Sequence, residues 1–103
     1  MLTLRRTFPA KMWQENQLAE VIKQYAELMH EQITPDFTYR IYTFKIGPVN
    51  TVAWEADFES LQQGEEAAAA MLNNPDIVDL LKQMSDLTER GGTSEVWNLY
   101  AQG

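Results

Sequence analysis

The chain's one histidine, His30, stands three residues after Glu27 and one before Glu31. On a helix these three side chains share a face. Glu-x-x-His is also the spacing of carboxylate di-metal bundles, but those need two such motifs plus carboxylates from other helices. Here there is one copy. The plainer reading is a wet helix end, where a histidine meets the negative end of the helix dipole. With a single histidine and no cysteine, donors are lacking for a zinc site, a thiolate nucleophile or a disulfide, so no metal is expected. No phosphate loop, dinucleotide fingerprint or calcium loop is present, and no cofactor is expected. His30 is the one candidate general base, with nothing visible to orient it, so no catalytic residue is assigned.

Arg6 alternates with Leu2, Leu4 and Phe8, so it shares the apolar side of a short strand. A half-buried guanidinium needs an anion. That anion is either one of the chain's fifteen acids or a substrate carboxylate or phenolate. Tyr25, Tyr39, Trp54 and Phe58 are expected to point toward a helix layer. An aromatic stripe is ordinarily core. It also suits a pocket for a flat aromatic ligand, with Arg6, Tyr25, Tyr39 and Trp54 as its candidate lining. Trp13, before the first helix, would either rim that pocket or pack on the helix.

These side chains need elements to hold them. Met1–Phe8 alternates as a strand and Pro9 ends it. Leu18, Val21, Ile22, Tyr25, Leu28 and Met29 recur at helical spacing, which predicts a helix over Glu15–Gln32 with no clear starting cap and a stop at Thr34-Pro35. Phe37–Ile46 is rich in aromatic and β-branched residues, apolar on both faces, and reads as a strand covered on both sides. Gly47-Pro48-Val49-Asn50 is turn chemistry, and Thr51–Glu59 alternates as the returning strand. Placing Ile46 opposite Thr51 pairs Arg40 with Asp57, Tyr42 with Glu55, Tyr39 with Phe58 and Ile41 with Ala56. Ser60 with Gln63 forms a capping box for an alanine-rich helix to about Leu72. Asn74-Pro75 starts another helix, striped by Ile77, Val78, Leu80, Leu81, Met84 and Leu87 and closed by Arg90 and Gly91-Gly92. Ser94–Tyr100 is the last strand.

The order βαββαβ predicts an α+β, ferredoxin-like fold: a four-stranded antiparallel sheet with the helices on one face, as one domain over residues 1–103. The other face carries Tyr42, Phe44 and Ile46, too apolar to leave wet. A homodimer through that open sheet face would cover it. The Arg40–Asp57 and Tyr42–Glu55 pairs would then fix how the two sheets dock.

Composition bounds the partners. Eight Lys+Arg against fifteen Asp+Glu leave a net charge of −7, and no basic cluster is present. Nucleic acid and anionic membrane surfaces are therefore poor partners. No apolar run reaches the ~18 residues of a spanning helix, and the start, MLTLRRTF, has no signal-peptide core. A cytoplasmic protein is expected. At 45% hydrophobic residues the chain can build a core, although a thin one at this size.

Gly47-Pro48-Val49-Asn50-Thr51-Val52, continuing through Trp54 and Phe58 to Glu59-Ser60-Leu61, resembles the NIPSNAP-like family of dimeric α/β-barrel proteins. Leu4-Arg5-Arg6-Thr7-Phe8 is similar to that family's first strand, and Asn74-Pro75-Asp76 stands where the family tends to place Asp-Pro-Glu. The chain departs from the pattern at Trp54 and Ala56, where the family's strand carries His and Trp. The resemblance implies a dimeric α/β barrel. Among wider relatives are antibiotic-biosynthesis-type monooxygenases, haem-degrading enzymes and lactone isomerases, in which a ligand often lies between helices and sheet. The function expected is a homodimeric domain binding a small aromatic molecule, acting as a cofactor-independent monooxygenase or isomerase. The alternative is a non-catalytic dimerisation or regulatory module, whose side chains would fill the space that an enzyme keeps open.

Overall fold

A computed structural model of the chain describes residues 1–33, 37–43 and 50–103. Its elements run β1 (Leu2–Pro9), α1 (Glu15–Gln32), β2 (Thr38–Thr43), β3 (Thr51–Phe58), α2 (Leu61–Leu72), α3 (Pro75–Asp86) and β4 (Thr93–Asn98). The four strands form one antiparallel sheet in the order β2-β3-β1-β4. With the helices packed on one side, this is the ferredoxin-like α+β arrangement.

Local chemistry explains the boundaries. α1 begins after Gln14 with no side-chain cap and ends where the Ile33 N–H donates to the Met29 carbonyl. α2 begins with the Ser60 hydroxyl accepting from the Gln63 N–H at 3.2 Å, while Gln63 Oε1 accepts from the Glu59 N–H at 2.7 Å. That exchange satisfies two otherwise orphaned donors. Asn74 Oδ1 accepts from the N–H groups of Asp76 and Ile77, and Pro75 occupies the first helical position, where its missing donor costs nothing.

Period-two alternation in β3 sends Val52, Trp54, Ala56 and Phe58 to the helices, all buried. Leu18, Ile22, Tyr25 and Met29 meet them from α1, and Ile77, Leu80 and Met84 from α3. Each fully buried Leu, Ile or Met side chain contributes roughly 1.5–3 kcal/mol. The helices rest chiefly on β2 and β3. The side chains of β4 are exposed throughout.

The hairpin register differs from the expected one. Arg40 faces Glu55, Tyr39 faces Ala56, Ile41 faces Trp54 and Tyr42 faces Ala53. The pairing is thus displaced by two residues. A two-residue shift leaves every side chain on its expected face. It places Arg40 between two carboxylates, directly opposite Glu55 and diagonal to Asp57, so the expected Tyr42–Glu55 pair is replaced by Arg40–Glu55. Gly47-Pro48-Val49 of the expected turn and the far end of the expected second strand, including Phe44 and Ile46, lie outside the described residues, as does Thr34-Pro35.

The glycine pair is also reassigned. α3 ends at Leu87, whose N–H reaches back to the carbonyls of its last turn, and the Thr88 hydroxyl donates to the Met84 carbonyl at 2.6 Å. Gly91 and Gly92 lie beyond that end and lead into β4. Gly91 has a φ of +104°, and a Cβ on Gly92 would stand 2.6 Å from the Thr7 carbonyl oxygen. The glycines admit a turn and a close approach to β1, and they cap nothing.

Candidate functional site

The helix-facing side of β1 carries Leu2, Leu4 and Arg6 beside Trp54 and Phe58 of β3, and α2 crosses above them. α2 lines this space with Leu61, Gly64, Glu65, Ala67, Ala68 and Met71, and three of these, Gly64, Ala67 and Ala68, are small. Small side chains there leave a cavity of about 290 Å³ between α2 and the β1–β4 half of the sheet. Tyr25 and Met29 of α1 close one side, Met71 lies near the end of α2, and Ser94 and Val96 supply the β4 wall. The lining is mostly apolar with a few polar groups, the usual character of a small-molecule site.

Three of the four residues read as candidate lining meet here: Arg6, Tyr25 and Trp54. Tyr39 does not line the cavity. Its ring lies 5.8 Å from that of Phe37 and 6.4 Å from that of His30, on the far side of the core. Trp13 is 92% exposed at a left-handed φ of 69° and does not rim the cavity. The sequence reading missed the α2 contribution. Its signal was Gly64 with the Ala67–Ala70 run, which reads as helix propensity until the facing strand is known.

The polar groups of the cavity are distinct. The Tyr25 and Trp54 rings are tilted at 60° with centroids 5.7 Å apart. The Tyr25 hydroxyl donates to Met71 Sδ at 3.0 Å. Burial pushes the Tyr25 phenol up to about 12, and the positive charge of Arg6 opposes the rise. Trp54 is 2% exposed, and its indole Nε1 has no hydrogen-bond partner among the described residues. The Arg6 guanidinium lies over the Phe8 ring at 5.3 Å, a cation–π contact. No carboxylate among the described residues pairs with it.

The open face of the sheet is organised differently. Arg5 Nε donates to Glu55 Oε2 at 2.6 Å, and Arg40 Nε donates to Glu55 Oε1 at 3.0 Å. Arg40 also donates twice to Asp57, which accepts from the Thr3 and Thr38 hydroxyls at 2.8 Å each. Burial pushes the Glu55 carboxyl up, but hydrogen bonds from Arg5 and Arg40 outweigh it and hold the group below the usual carboxylate range. Tyr42 and Trp97 flank the cluster, 48% and 56% exposed.

His30 is exposed in the last turn of α1, 6.1 Å from the Phe37 ring by centroids. Among the described residues no group of three or more acidic or histidine side chains is placed to hold a metal ion. None of their helices is long and apolar enough to cross a membrane.

No protein-family profile and no curated protein sequence matches the chain. Solved structures do match its fold. A NIPSNAP family protein with unknown function from Agrobacterium tumefaciens superposes with a TM-score of 0.79 at 20% identity, covering 94% of this chain and 86% of that one. An uncharacterized NIPSNAP-like domain protein from Burkholderia xenovorans gives 0.81 at 14% identity over 99% and 87%. SnoaB, a cofactor-independent oxygenase from Streptomyces nogalater, gives 0.74 at 13% identity over 98% and 94%. The chain therefore has the ferredoxin-like fold that NIPSNAP proteins share with antibiotic biosynthesis monooxygenases. The resemblance carried by the sequence around Asn50–Leu61 and by the first strand agrees with that fold.

Proposed function

We propose that this chain is a homodimeric domain whose cavity between α2 and the β1–β4 half of the sheet binds a small aromatic molecule. The observation that carries the reading is the cavity itself. A module serving only dimerisation would fill that volume with side chains, because an unfilled apolar void costs stability. Here the helix above it presents Gly64, Ala67 and Ala68 between the larger Leu61 and Met71, while Tyr25 and Trp54 offer ring faces. Dimerisation is supported by the open face, where Tyr42 and Trp97 stand exposed around an ionic centre whose charges are already paired. The two-fold operation would bury those aromatics against their copies. An oxygenase reading of the same cavity is favoured over an isomerase by the fold shared with SnoaB, which is described as a cofactor-independent oxygenase.

Native mass spectrometry of freshly purified protein tests the proposal. The expected result is a dimer, with retained mass that identifies the ligand class. A monomer would remove the dimer. A cavity that takes up no small aromatic in a direct binding screen would remove the ligand.

A further inference from the structure

Two hydrogen-bond donors at this cavity have no protein acceptor among the described residues. Trp54 Nε1 is buried and unpartnered. Leaving a buried N–H unpaired costs stability, so folded chains seldom keep one without a use. Arg6 is the second. The chain's other two arginines on the sheet, Arg5 and Arg40, are both tied to carboxylates, whereas the Arg6 guanidinium lies over the Phe8 ring.

These donors are directly opposed residues. Arg6 of β1 is the ladder partner of Trp54 of β3, and both side chains line the cavity. Opposed residues on one face hold their Cβ atoms ~5 Å apart, so the two side chains leave the sheet from neighbouring points, with the guanidinium lying over Phe8. The Tyr25 hydroxyl spends its proton on Met71. The acid of the lining, Glu65, is exposed on α2, where water screens it. The remaining wall is aliphatic and aromatic: Leu2, Leu4, Met29 and Phe58.

We propose that the cavity takes an aromatic monoanion, with a carboxylate or phenolate oxygen set between the Arg6 guanidinium and the Trp54 indole N–H. This rests on reading the cavity as a ligand site and adds the charge of the ligand and the two residues that select it.

Calorimetric titration of the intact protein with 2-naphthoate and with 2-naphthamide tests it, since the two share a ring system and differ in charge. The expected result is at least about tenfold tighter binding of the anion, the scale of one charge-assisted hydrogen bond. Arg6→Met should erase the preference while amide affinity stays within about twofold; Arg6→Gln serves if Arg6→Met does not fold. In a 1H–15N spectrum, the Trp54 indole resonance, assigned by its loss in Trp54→Phe, should move downfield with naphthoate. Equal affinity for acid and amide, or a preference that survives at Arg6→Met, overturns the inference and leaves the ligand site standing. Failure of both compounds to bind at millimolar concentration overturns the inference together with the reading beneath it.

Discussion

Arg40 grips Asp57 along a diagonal of the sheet, through two parallel hydrogen bonds of 2.8 and 3.0 Å, while its ladder partner is Glu55. The bidentate geometry is the strong form of an arginine–carboxylate pair. It holds the Asp57 carboxyl well below the usual range: the Arg40 hydrogen bonds lower it most, burial opposes them, and the Thr38 and Thr3 hydroxyls assist.

Stability should therefore fall in acid. Asp57 and Glu55 are both depressed in the folded chain. Their contribution is complete above the unfolded values, about 3.9 and 4.3, and is lost as pH drops through the folded values. The urea midpoint is expected to be level from pH 7 to about 5 and to decline below about 4.5. Asp57→Asn should lower the unfolding free energy at pH 7 by about 1–3 kcal/mol and flatten the decline.

The alkaline side has the opposite sign. The Tyr25 phenol is raised to about 12 by burial, against the pull of Arg6. A group raised in the folded state contributes fully below its unfolded value, about 10, and loses that contribution as pH rises toward the folded one. Thermal stability should fall between about pH 10 and 12, and Tyr25→Phe should reduce that slope. Absorbance of phenolate should show one tyrosine titrating last, missing in the variant.

Two glycines should respond in opposite directions to alanine. At Gly64, inside α2, a Cβ would make ordinary contact with the Phe58 ring at 3.7 Å, so Gly64→Ala should raise stability by about 0.5–1 kcal/mol. At Gly92 the Cβ would strike the Thr7 carbonyl oxygen at 2.6 Å, and relief requires moving backbone. Gly92→Ala should cost about 1–3 kcal/mol. Denaturant titrations of the two variants beside the parent chain check both signs.

The proposed dimer predicts a further variant. Trp97 faces out on the open side of the sheet, opposite Thr3. Trp97→Lys should convert the dimer to monomer in sedimentation velocity while far-ultraviolet circular dichroism stays unchanged. A dimer that persists would place the interface elsewhere.

Side-chain periodicity made the elements legible. The i, i+3, i+4 stripe from Leu18 to Met29 marks α1, whose start no capping side chain fixes, and Ser60 and Asn74 announce their helices because their side chains have local jobs. The faces of the hairpin were legible for the same reason. Its register was not, since displacing the pairing by two residues moves no side chain to another face, and Arg40 reaches Asp57 in either alignment, directly in the expected one and diagonally in the observed one. Gly91-Gly92 was misread because a glycine pair after a helix looks alike whether it closes that helix or serves a neighbouring strand; the Thr7 carbonyl decides it. Of the candidate lining, Arg6 and Trp54 follow from alternation, and Tyr25 from its helix stripe. Tyr39 shares the Trp54 face but stands at the β2 end of the sheet, a lateral distance that alternation does not encode.

Because the helices rest chiefly on β2 and β3, firmness is graded across the sheet. β4 is held on one edge by β1 and by the contact of the Thr7 and Thr93 hydroxyls, with no buried side chain of its own. In native-state hydrogen exchange such a strand belongs to the low-free-energy end, and β3, paired on both sides under the core, to the high end. Ser94 and Val96 make β4 one wall of the cavity. The cavity thus has a durable floor in β3 and a wall that parts far more cheaply. Transient peeling of that strand would open the cavity without unfolding the domain.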